Sequence, residues 1–218
     1  MTNPLIIYPR DPTTTFLLDP FNFLQKKLNQ ATFYIIEPND DSHNECLQLI
    51  DNFETIIFMG HGSSHNLSGA KGENYDKGAL ISNQQIRAGN LKNWILFSCN
   101  SNDLLSSCST NVNGIGFGDL PTDFNDIWGI REFDWSAYPK ITSEIIEAFK
   151  DSINWIISKS VVESVENKMS IQELFNFIRI LITKRMVDIL KDPKNIEQKE
   201  LAKLLFDMKY ETRLVSTI

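Results

Sequence analysis

The chain has 218 residues, 42% hydrophobic and 22% charged, a balance that supports a sizeable core and excludes wholesale disorder. Its formal charge of −7 is spread along the chain, about −4 up to Ser109 and −3 after it. That argues against a nucleic-acid partner, because neutralising phosphates needs clustered Lys and Arg.

In chain order, four short apolar runs rich in β-branched and aromatic residues read as strands covered on both faces: Leu5 to Tyr8, Phe33 to Glu37, Thr55 to Met59 and Trp94 to Ser98. Helices are expected between them, over Phe21 to Leu28 and Ser42 to Phe53. This alternation predicts a mainly parallel sheet, and in such sheets ligands bind beyond the carboxyl ends of the strands. The stretch Gly60 to Leu80 is rich in Gly, Ser and Asn and reads as a long loop or small hairpin of the kind that carries function. Asn111 to Asp126 reads as a further short strand ending in a Gly-rich turn, then a helix start.

From Pro139 the apolar spacing turns helical. Ile141, Ile145, Phe149, Ile153, Ile156 and Ile157 share one face. A second helix opens on a capping box, Ser170 with Glu173, and is expected to stop at Asp192 and Pro193; a third runs from about Ile196 to Met208. One domain over 1–218 is expected, with sheet and motifs in about 1–138 and a mainly helical part, about 139–218, packed on it.

The apolar runs fall short of the roughly 18 residues of a membrane span, so no span is expected. The start, MTNPLIIYPRDP, lacks the features of a secretory signal, which predicts a cytoplasmic location. Cys46, Cys99 and Cys108 form an odd set that suits a reducing compartment better than a disulfide framework.

Two motifs carry chemistry. Gly60-His61-Gly62 places an imidazole just past one buried strand, and Ser98-Cys99-Asn100-Ser101 places a thiol just past another. If these strands are neighbours, His61 and Cys99 emerge side by side. A free thiol is only a few per cent thiolate at neutral pH, so a cysteine nucleophile needs a base, and His61 can be that base. In this reading Cys99 attacks a carbonyl carbon, His61 protonates the leaving amine, and the backbone N–H groups of Gly62 and Cys99 receive the oxyanion. The residues themselves assign no acidic third member.

The segments IIFMGHG, Ile56 to Gly62, and WILFSCNS, Trp94 to Ser101, resemble the caspase-like cysteine peptidases, most closely bacterial proteins of the CHAT type. The resemblance spans roughly Thr55 to Asp119. It implies a caspase-like three-layer α/β/α sandwich and a Cys99/His61 dyad that cleaves a protein partner through a thioester, with no metal or cofactor. It also implies a role in antiviral defence or regulated cell death, with activation by dimerisation, self-cleavage or a separate subunit. In the wider group a charged residue at the pocket floor selects the P1 side chain. Asp119, Asp123, Asp134 and Trp135 are the candidates here, and the predominance of acids favours a basic P1 over aspartate, with an apolar P1 left open. The other reading is a catalytically silent scaffold or regulatory subunit, since Ser98 and Asn100 depart from the flanking residues usual in the group.

Other readings carry less. His61 with His65, and His43 with Cys46, offer zinc-ligand types without a second pair to complete a site. Gly114, Gly116 and Gly118 match no phosphate-binding loop and are expected to serve close backbone approach beside the cleft. Trp94, Trp128, Trp135 and Trp155 are expected in the core or in pocket walls.

Overall fold

The computed structural model describes residues 1, 3–76, 78–88, 91–108, 112–191 and 196–216, with the backbone alone at 196 and 197. Its centre is a six-stranded sheet. β1 (Leu5–Pro9), β2 (Thr32–Ile36), β3 (Thr55–Met59), β8 (Lys92–Phe97) and β9 (Val112–Gly116) run parallel, and β10 (Arg213–Val215) joins antiparallel to β9, in the order β10-β9-β8-β3-β1-β2. Every residue of β1 and β3 is buried, as their unbroken apolar runs require.

Because side chains alternate across a strand, the sheet divides the core in two. Ile6, Tyr8, Ile57, Met59, Ile95 and Phe97 face a layer built from α1 (Leu18–Lys27), α6 (Ser143–Glu166), α7 (Ile171–Leu190) and α8 (Ile196–Glu211). Leu5, Ile7, Ile56, Phe58, Trp94 and Leu96 face α2 (Asp40–Asp51), α3 (Asn83–Ala88) and α4 (Ser101–Ser107). The architecture is thus α/β, with helices on both faces of a mainly parallel mixed sheet. Lys92, buried at the start of β8, donates through Nζ to the carbonyls of Ile50, Asp51 and Phe53 and so closes the carboxyl end of α2.

The capping box of α7 forms as the sequence predicts: Ser170 N donates to Glu173 Oε2 at 2.8 Å and Glu173 N to Ser170 Oγ at 3.3 Å. Asp192 and Pro193, expected to end that helix, lie outside the described residues, as does Asn111 at the expected start of β9. The polar stretch after β3 folds into two small antiparallel pairs. β4 (Asn66–Ser68) pairs with β7 (Ala79–Ser82), and β5 (Lys71–Gly72) with β6 (Tyr75–Asp76). Its anchor is His43 of α2, whose Nε2 accepts the N–H of Ala70 at 2.9 Å while Nδ1 lies 2.7 Å from the carbonyl of Asn39.

Two differences from the sequence reading shape the site. The last described strand, β10, returns the helical part to the sheet, and a 3-10 turn, Pro12–Leu17, fills the connection between β1 and α1; the helix start expected after β9 is α5 (Phe124–Phe133). No described helix is long and apolar enough to cross a membrane.

Candidate active site

β3 and β8 are hydrogen-bonded neighbours in register, Met59 opposite Phe97, and the pairing extends one step further through Gly60 N donating to Phe97 O. His61 and Cys99 therefore leave the sheet at the same rim, each two residues past the last register pair. Both line one cleft of about 540 Å³, with Gly62, Asn100, Asp119, Leu120, Asp126 and Glu132. A smaller cavity of about 30 Å³ shares His61, Cys99 and Leu120 with it and is otherwise largely apolar, lined by residues that include Leu17, Phe97 and Ile153.

The backbone around the thiol is tightly set. Asn100 takes the left-handed conformation at φ 52°, which Asn tolerates better than most residues. Its N–H donates to Gly118 O at 2.9 Å and its Nδ2 to Asp119 Oδ1 at 2.9 Å. Ser101 Oγ lies within hydrogen-bond reach of the carbonyls of Leu96 and Ser98, which share its one proton, and accepts the N–H of Phe117, tying β8, α4 and the turn after β9 together. Gly116 serves close approach as expected: a β-carbon there would lie 2.5 Å from the backbone of Ser101 and Asn102. No backbone acceptor meets the N–H of Gly62 or of Cys99 among the described residues.

Cys99 is half-buried, and its Sγ donates to the carbonyl of Leu120 at 3.5 Å. Burial pushes the thiol up to about 12; the Leu120 contact opposes this, and the nearby Asp126 and Asp119 carboxylates add to it. The sulfur is a protonated thiol in this arrangement, with no hydrogen bond to His61. His61 instead meets the turn after β1: its Nε2 lies 2.5 Å from Thr13 Oγ1 and 3.9 Å from Asp11 Oδ1. Asp11, nearly buried, accepts both the N–H of Thr13 at 2.8 Å and its hydroxyl at 2.6 Å.

Of the pocket candidates, Asp119 lines the cleft. The other three are placed elsewhere. Asp123 is the N-cap of α5, accepting the N–H of Asp126 at 2.9 Å, and Asp134 accepts the N–H and hydroxyl of Ser136. Trp135 is 87% exposed and outside the cleft lining, and Trp128 is also exposed, so neither is core or pocket wall. Trp94 is buried and Trp155 packs against the core from a partly buried position. Cys46 and Cys108 are buried, and His65 is exposed. Among the described residues, no group of three or more His, Cys, Asp or Glu side chains is placed to hold a metal ion.

The reading by residue type missed Asp126, Glu132, Asp11 and Thr13. The first two are carried by α5, whose position beside the rim is a tertiary fact. Asp11 and Thr13 carried a usable signal, since polar residues past the end of β1 sit at the rim where ligands bind in parallel sheets. No known family model matches the chain, and no curated protein matches it.

Proposed function

We propose that the protein is a caspase-like cysteine endopeptidase that cleaves a protein partner after a basic residue. One observation carries this reading: a thiol and an imidazole at the ends of hydrogen-bonded neighbouring strands open onto one cleft. Cys99 gives its proton to His61 and the sulfur attacks the peptide carbonyl. The oxyanion meets the N–H groups of Gly62 and Cys99, and fixed donors of that kind contribute about 3–4 kcal/mol each. His61 passes the proton to the leaving amine, then takes one from water, whose oxygen displaces the sulfur and releases the acid. Asp119, Asp126 and Glu132 give the cleft a negative lining, which favours Arg or Lys at P1. A role in defence or regulated cell death, with switching by a second copy or a separate subunit, belongs to this proposal.

A silent scaffold is the second reading. The engagement of the Cys99 thiol with the Leu120 carbonyl and of His61 with Thr13, rather than with each other, favours it. A peptidyl acyloxymethyl ketone with Arg at P1 separates the two. The protease reading expects a covalent adduct on Cys99 by intact mass, much less with Asp at P1 and none in His61→Ala. A scaffold gives no adduct with either probe.

A further inference from the structure

The Asp11, Thr13 and His61 contacts fix more than position. A threonine hydroxyl has one proton to donate, and an ionised carboxylate only accepts. Thr13 Oγ1 lies 2.6 Å from Asp11 Oδ1, which also holds the Thr13 N–H, so the hydroxyl proton is spent on Asp11. The same oxygen can then only accept at the 2.5 Å contact with His61 Nε2. The proton of the neutral ring must sit on Nε2, leaving the lone pair on Nδ1.

We propose that Asp11 and Thr13 are positioning residues that lock His61 in its Nε2–H tautomer, so that Nδ1 is the nitrogen that takes the proton from Cys99. This rests on the protease reading for its purpose, though not for its geometry. The segment is built to hold still. Asp11 is 6% exposed and caps the 3-10 turn, Asn154 of α6 donates to Phe16 O at 2.9 Å, and the Tyr8 hydroxyl donates to Thr14 O at 3.4 Å. Once His61 is protonated, the Asp11 carboxylate 3.9 Å away stabilises the cation. The other charged groups that share the cleft with His61, namely Asp119, Asp126 and Glu132, are acids on the far elements and provide no competing donor to Nε2.

The test is a long-range ¹H–¹⁵N correlation spectrum of the three histidines in the labelled full chain, at about pH 8.5 where an ordinary imidazole is neutral, with the His61 signals identified by their loss in His61→Gln. Turnover of an Arg-containing peptide is measured in parallel. In the wild type Nε2 is the protonated nitrogen. Thr13→Val gives a mixture of tautomers and turnover slower by at least about tenfold, a part of what general acid–base catalysis supplies; Thr13→Ser restores both. Asp11→Asn keeps the cap acceptor and the tautomer but slows turnover through loss of the charge. An Nδ1–H tautomer in the wild type, or an Nε2–H tautomer unmoved by Thr13→Val, overturns the inference. If the tautomer responds as stated while the wild type turns over no peptide, the positioning by Thr13 stands and the protease reading fails.

Discussion

Gly62 lies so close over Ser98 that a β-carbon on it would stand 2.8 Å from Ser98 Oγ, 3.0 Å from Ser98 Cβ and 3.2 Å from the carbonyl oxygen of Cys99. The glycine after the histidine is thus the contact that lets the two motif strands approach at the rim.

Gly62→Ala must push these strands apart, and overpacking of this kind costs about 1–3 kcal/mol. Thermal unfolding reads that loss, and adduct formation on Cys99 falls with it. Ser98 Oγ is buried with no hydrogen-bond partner among the described residues, so Ser98→Ala removes an unsatisfied group; its melting temperature is expected to equal or exceed that of the wild type. A clear drop in Ser98→Ala contradicts this.

The thiols of Cys46 and Cys99 are both pushed up to about 12, first of all by burial. A folded-state value above the ordinary 9.0 means that the folded chain holds these protons more tightly than the unfolded one. Their contribution is therefore whole below about pH 9 and is lost as pH rises toward 12. Urea unfolding at about pH 8 and about pH 10.5 measures the drop, and Cys46→Ala with Cys99→Ala makes it smaller. An unchanged drop assigns it to other groups.

Glu211 ends α8 and receives the N–H of Asp119 on Oε2 at 3.0 Å, while Asn102 donates to its backbone carbonyl. Burial raises its carboxyl above the ordinary 4.5, and Asp119 and Asp207 raise it further. Stability from this group is full below pH 4.5 and falls as pH rises through the folded-state value. Glu211→Gln keeps the acceptor and removes the charge, so the variant's unfolding midpoint gains on that of the wild type as pH rises from about 4 to about 7. A difference between variant and wild type that stays constant over this range contradicts the assignment.

His43 anchors the segment that follows His61. His43→Leu leaves the N–H of Ala70 without its acceptor, a loss of about 1–3 kcal/mol. Amide exchange at Ala70 is expected to accelerate more than exchange in β1, which places the effect in the loop.

Much of this molecule could be read from residue order, for physical reasons that differ from element to element. β1 and β3 are legible because burial on both faces demands an unbroken apolar run. α7 is legible because Ser170 and Glu173 cap it locally. His61 and Cys99 are legible as a pair because each follows such a strand. α4 is not, since Ser101–Ser107 is largely polar and held by Ser101 and Asn102 through bonds to distant backbone. β10 has three residues and exists only through its pairing with β9. Asp11 and Thr13 reach His61 only because β1 lies beside β3, which periodicity does not report.

The most direct test of the central claim is to incubate the wild type, Cys99→Ala and His61→Ala with a peptide library containing Arg, Lys, Asp and apolar residues, and to map new termini by mass spectrometry. The account predicts cleavage after Arg or Lys by the wild type and none by either variant. Termini that persist in Cys99→Ala, or a folded wild type that produces none, contradict it.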